Sequence, residues 1–138
     1  MSEGDEFLLD ASAVVKLLLD GEDDQAFGHA VLELGFFEVA NTLYRIAAHE
    51  QRLSRDDADL LVEQLADLRN EIELLSLQDV GGIARVYETA WNTSLTVYDA
   101  GHVAAAASTG RTLVTTDGGI HDHAPSDVAV DDIDVLIR

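Results

Sequence analysis

The feature that most constrains this chain is a set of strand-length apolar runs set between helix-length segments. Residues 6–10, around Phe7-Leu8-Leu9, read as a short buried strand that ends on Asp10, and "TLVTT" from residue 112 reads as a late strand that runs into Asp117. Ser12 is expected to cap a helix over 13–19, with Gly21 just past its end. Residues 22–34 are ambiguous and are read as helix plus a short connection. Helix is expected over 36–50. Ser54 caps a further helix in which Ala58, Leu61, Val62, Leu65 and Leu68 keep helical spacing. A strand over 71–75 and a helix over 79–92, weakened by Gly81-Gly82, come next. A nearly all-apolar, hence buried, helix over 97–109 follows and ends at Gly110. "DVAV" and "IDVLI" read as closing strand material. Strands separated by helices predict one α/β domain over residues 1–138 with a mainly parallel sheet. In such sheets ligands sit outside the carboxyl ends of the strands, where Asp10 and Asp117 fall.

Charge and composition narrow the setting. Asp and Glu number 27 against 8 Lys and Arg, Lys16 is the one lysine, and the formal net charge is −19. At ordinary salt such a chain repels nucleic acid and anionic membranes. At about 1 M salt the Debye length falls to roughly 3 Å and distant charges barely interact. The composition therefore reads as the solvated surface of a halophilic protein, with the charge reporting habitat rather than partners. The absence of cysteine excludes disulfides, thiol nucleophiles and cysteine metal sites, and it fits a reducing, cytoplasmic interior. "MSEGDEF" is acidic where a signal peptide would be basic. No apolar run approaches the roughly 18 residues of a membrane span.

Four acids differ from the rest in context. Asp10 follows Leu8-Leu9, Glu38 follows Phe36-Phe37, Asp99 follows Val97-Tyr98, and Asp117 lies just beyond Leu113-Val114. Most other acids lie in polar runs such as "GEDD". Each of the four also has an ordinary reading. Asp10 fits a turn, and Glu38 fits a solvated helix face with Asn41, Arg45 and His49. Asp99 fits the first helical turn after a Thr96 cap, and Asp117-Gly118 fits a turn dipeptide. Together, however, half-buried carboxylates cannot all ionise without a cation. Oxygen-only clusters suit Mg²⁺ or Mn²⁺. Weaker candidates read as structural. "HDH" at 121–123 is expected in an exposed loop. His102 is expected to be a packed or partly exposed helix residue, and Trp91 and Phe36-Phe37 core or interface residues. Gly81-Gly82 lacks the lysine of a phosphate-binding loop.

Four segments in order, "LLDASAVVKLLL", "FFEVANTLYR", "LTVYDAGHVAAAASTG" and "TLVTTDGGI", carry a resemblance to PIN-domain nucleases, and most to the VapC-type toxins of toxin–antitoxin pairs. The resemblance spans nearly the whole chain and implies a three-layer α/β/α sandwich. It implies Asp10, Glu38, Asp99 and Asp117 as catalytic, metal-binding acids, with Ser12, Asn41 and Thr115 as hydroxyl or amide partners and Thr116 as an alternative hydroxyl. The implied activity is Mg²⁺- or Mn²⁺-dependent hydrolysis of RNA. The implied partners are an RNA substrate, a cognate antitoxin and a second copy of the chain in a homodimer, with helix surfaces near Val14, Leu18, Phe37 and Leu43 as contact points. The chain carries fewer basic residues than RNA-binding members usually do, and residues 22–35 fit the family pattern poorly. Three rival readings remain: a phosphoryl-transfer domain with an aspartate nucleophile, a non-catalytic PIN-like binding domain, and an RNA-processing nuclease without an antitoxin. The first typically needs a late lysine, and none follows Lys16.

Overall fold

Five short strands make one sheet in the computed structural model, which describes residues 7–137. They are β1 (Phe7–Leu9), β2 (Ala30–Leu32), β3 (Glu73–Leu75), β4 (Thr112–Val114) and β5 (Val130–Asp131). Their order is β3-β2-β1-β4-β5, and every neighbouring pair is parallel. The α-helices are α1 (Ala11–Leu19), α2 (Glu33–Ala48), α3 (Arg55–Leu68), α4 (Ile83–Thr93), α5 (Val97–Thr109), α6 (Gly118–His123) and α7 (Asp134–Ile137).

Side-chain alternation along the strands separates the two outer layers. Leu9, Val31 and Val114 point to one face, where they pack with Val14 and Leu18 of α1, Val39 and Leu43 of α2, and Leu65 and Leu68 of α3. Leu8, Ala30, Leu32 and Leu113 point to the other, against Val86 of α4, the Ala104–Ala106 stretch of α5, and Ile120 of α6. This is the expected three-layer α/β/α sandwich. Complete burial of a leucine contributes roughly 1.5–3 kcal/mol, so a three-residue strand holds its place by packing rather than by propensity.

Several expectations need correction. The segment 22–34 holds a 3₁₀ turn at Asp23–Ala26 and the strand β2, and α-helix begins only at Glu33, the start of α2. Ala30-Val31-Leu32 is wholly buried between β1 and β3, but it is too short to announce itself in sequence. The cap of α1 is Asp10 rather than Ser12, because the Asp10 side chain accepts the Ala13 N–H. In "IDVLI" the residues Asp134–Ile137 form a helical turn, not a strand. Trp91 and Phe37 are each 73% exposed, so neither is a core residue. Conversely, Val14, Leu18 and Leu43 are fully buried and present no surface to a partner. Ser54 caps α3, and α5 spans 97–109, both as expected. Among the described residues no helix is long and apolar enough to cross a membrane.

The topology fixes where a site can lie. From β1 the chain winds outward to β2 and β3, then returns across β1 to β4 and β5. The winding reverses between β1 and β4, and the crevice outside the carboxyl ends of those two strands is the natural ligand position.

Candidate active site at the reversal of the sheet

Asp10 leaves β1 with its ladder unbroken. Its N–H donates to the Val114 carbonyl at 3.1 Å, which holds the residue beside the end of β4. The side chain is 4% exposed. A carboxylate this deep costs free energy unless its oxygens are hydrogen-bonded. One oxygen, Oδ1, accepts the Ala13 N–H at 3.0 Å and the Ser12 hydroxyl at 2.6 Å. The other, Oδ2, accepts the hydroxyl of Thr115, itself fully buried. Both hydroxyl hydrogens are thus committed to Asp10, so the 3.2 Å approach of the Ser12 and Thr115 oxygens is a contact between two acceptors. Each hydroxyl also accepts a backbone N–H from the loop after β4. Ser12 takes that of Thr116 at 2.9 Å, and Thr115 takes that of Asp117 at 2.9 Å. The loop carrying Asp117 is therefore tied to Asp10 through two hydroxyls.

Asp117 caps α6, and its Oδ1 accepts the Gly119 N–H at 2.8 Å. Asp99 lies in the first turn of α5, behind a Thr96 cap whose hydroxyl accepts the Asp99 N–H at 3.1 Å. Neither Asp117 Oδ2 nor the Asp99 carboxylate receives a hydrogen bond from the described residues. Burial pushes the Asp99 carboxyl above its usual range. Asp117 adds to that rise, followed by Glu38 and Asp10, while His102 opposes it. The other three sequence-selected acids thus all act on Asp99 across the crevice.

Glu38 is held by His102, expected from the sequence to be a packed or partly exposed helix residue. It is packed, but with a bond to an acid that the sequence reading does not foresee. His102, 1% exposed, lies one turn after Asp99 on α5, and its Nε2 is 2.8 Å from Glu38 Oε1. The spacing of "DAGH", three residues from Asp99 to His102, was the available signal, since it puts both on one helix face. The remaining candidates separate clearly. Thr115 faces Asp10, whereas the exposed Thr116 contributes only its backbone. Asn41 is exposed and lines a shallow groove with Phe37, Glu38, Thr42, Arg45 and Tyr98. His121 and His123 are exposed, and their ring N–H groups donate to the carbonyls of Thr115 and Gly119.

Among the described residues no three acidic or histidine side chains are gathered tightly enough to chelate an ion as they stand. The donor chemistry nevertheless fits a hard divalent cation. The crevice offers carboxylate oxygens from four elements and no sulfur ligand. Their mutual repulsion, seen at Asp99, is what such a cation would relieve.

Residues 7–124 match the family model described as PIN domain. The chain is 30% identical over 129 residues to Ribonuclease VapC3 of Pyrobaculum aerophilum, covering 86% of this chain and 95% of that one. The crystal structure of PAE2754 from Pyrobaculum aerophilum superposes with a TM-score of 0.75 at 28% identity, covering 96% of this chain and 88% of the other. VapBC2 from Rickettsia felis, solved bound to a fragment of promoter DNA, gives a TM-score of 0.66 at 11% identity, covering 91% and 97%. At that identity the likeness speaks for the fold alone.

Proposed function

The chain belongs to the PIN-domain family, and from that premise we propose that it is a divalent-metal-dependent endoribonuclease acting as the toxin of a toxin–antitoxin pair. The observation that supports this reading most is the convergence of Asp10, Glu38, Asp99 and Asp117 on the crevice where the sheet reverses, each raising or sharing the charge felt at Asp99. Similarity to Ribonuclease VapC3 supports the ribonuclease and toxin assignment. The toxin reading carries with it a cognate antitoxin protein as partner.

In this reading Asp10 and Asp99 are direct ligands of Mg²⁺ or Mn²⁺, with Asp117 direct or through water. The ion, when bound, supplies Lewis acidity for water and for the charge growing on the phosphate. The chain's own residues do the positioning. Ser12 and Thr115 hold both Asp10 oxygens, so the carboxylate cannot turn away. Glu38 would hold the ion through water or take a proton from the attacking water. Beside it, Asn41 and Arg45 offer donors to the RNA backbone, and the exposed rings of Phe37 and Tyr98 offer stacking surfaces for unpaired bases. That groove favours single-stranded RNA. The exposed Ile83, Tyr87 and Trp91 recur every fourth residue on α4 and give a homodimer an apolar face.

Cleavage of RNA with Mg²⁺ or Mn²⁺, at low and high salt, tests the proposal. Asp10→Asn and Asp99→Asn should each lose about a hundredfold or more in rate, and EDTA should abolish cleavage. Cleavage that survives EDTA and both substitutions refutes the metal–carboxylate reading. Induced expression should arrest growth, and Asp10→Asn should relieve the arrest.

A further inference from the structure

We propose that His102 is a positioning residue that fixes the Glu38 carboxylate toward the crevice. The inference rests on the reading above, in which Glu38 works beside the metal ligands. Glu38 belongs to α2 and His102 to α5, 64 residues later, and their side chains meet at 2.8 Å. A glutamate at the mouth of a groove is expected to sample many rotamers, and holding it costs side-chain entropy. The 2.8 Å bond to a ring that is itself immobile offsets that cost.

The ring is immobile because of what surrounds it. His102 is 1% exposed and follows the buried pair Ala100-Gly101, with Val103 and Ala104 after it. Gly35 sits one turn before Glu38, and a Cβ there would lie 3.5 Å from His102 Cε1. The imidazole thus packs beside α2 at Gly35, at a distance where a Cβ would make ordinary van der Waals contact with it. The second ring nitrogen, Nδ1, is buried and has no hydrogen-bond partner among the described residues. With an ionised Glu38 as acceptor, Nε2 carries the hydrogen and donates, and Nδ1 is left as the bare acceptor.

A buried polar group that leaves one nitrogen unsatisfied costs stability relative to an apolar residue of similar size. What it provides in return is the single bond to Glu38. Only Oε1 is engaged, so Oε2 is left without a hydrogen bond from the described residues. One turn earlier on the same helix stands Asp99. The two-residue frame of Asp99 and His102 therefore sets a ligand and the orientation of a second acid from one rigid element.

The test is a double-mutant cycle between His102→Leu and Glu38→Gln, with His102→Gln as the conservative variant. Glutamine keeps an N–H donor at similar reach, and leucine fills the space without one. The first readout is Mn²⁺ affinity, measured by water-proton relaxation on the intact chain. The second is kcat and KM for RNA cleavage. The third is the imidazole ¹⁵N spectrum in EDTA. Outer partners of metal sites typically contribute about 10–100-fold. His102→Leu should therefore weaken Mn²⁺ about tenfold or more and lower kcat with KM little changed, and His102→Gln should recover most of both. The loss in Mn²⁺ affinity should vanish in the Glu38→Gln background. The Nε2–H resonance of His102 should shift on Glu38→Gln. A His102→Leu variant that melts earlier but keeps wild-type Mn²⁺ affinity and kcat overturns the positioning role, as does an equal loss in the Glu38→Gln background. Should the wild type bind Mn²⁺ with the expected dependence on His102 yet cut no RNA, the positioning role stands and the ribonuclease reading falls.

Discussion

Replacing Thr115 by valine keeps the shape of the side chain and removes one hydroxyl. That hydroxyl donates to Asp10 Oδ2 and accepts the Asp117 N–H at 2.9 Å. Thr115 is fully buried and Asp10 nearly so, so no solvent replaces the lost donor. A hydrogen bond to a charged group is worth about 1.5–3 kcal/mol, and a buried N–H left without an acceptor costs about 1–3 kcal/mol. Asp117 is only half-buried, so its N–H lies at the low end of that range. The expected loss is about 3 kcal/mol. For a domain of this size each kcal/mol lowers Tm by roughly 3–5 °C, which gives a fall of roughly 9–15 °C. Thr116→Val is the matched control. Its side chain is exposed and makes no hydrogen bond among the described residues, so it should stay within about 0.5 kcal/mol of the wild type. Circular-dichroism melts and urea titrations in EDTA read both variants. If Thr115→Val melts within about 2 °C of the wild type, or no lower than Thr116→Val, then the Thr115 half of the clamp on Asp10 contributes nothing and the account of the site fails.

Two further outcomes follow from charge. Because burial and the neighbouring acids raise the Asp99 carboxyl above its ordinary value, the folded state binds that proton more tightly than the unfolded state does. Ionisation of Asp99 thus destabilises the metal-free fold once pH rises above the folded value, and the penalty disappears below the unfolded one. Asp99→Asn should accordingly raise Tm in EDTA at about pH 7, with the gain shrinking towards about pH 4, and saturating Mn²⁺ should reverse the order. A gain that is independent of pH would contradict the repulsion among the acids. The net charge of −19 is also mutually repulsive, so Tm should climb between about 0.1 and 2 M KCl as screening shortens the Debye length. An unchanged or falling Tm would remove the reading of the acidic surface as an adaptation to salt.

The sequence carried some parts of this structure plainly and others hardly at all. Long periodic segments were legible, since α3 and α5 repeat their apolar positions over several turns and begin on a hydroxyl cap. Strand β2 was not, because three residues cannot show a period and Ala30-Val31-Leu32 owes its state to the strands on either side. At the start of α1, Asp10 and Ser12 were both good caps, and local chemistry alone could not rank them. The decision came from the residue just after β4, a hundred residues away, where Thr115 supplies a hydroxyl to Asp10 and Ser12 donates another. The same distance explains why Thr115 and Thr116 were interchangeable in sequence and are not in space. The four acids could be selected because each adjoins apolar sequence. The bond between His102 and Glu38 joins two helices, and no local pattern encodes it.

The 105-residue separation between Asp10 and Thr115 has a consequence for how the molecule comes into being. β1 lies at the centre of the sheet, and one of its two neighbours, β4, begins only at residue 112. A growing chain that has emerged as far as α4 already contains Asp10 and Glu38, but it has neither Asp99 nor Asp117, and one edge of β1 is still unpaired. The acidic crevice therefore closes only when the last fifth of the polypeptide docks. An unfinished copy thus still lacks two of the four acids that the proposed cleavage needs.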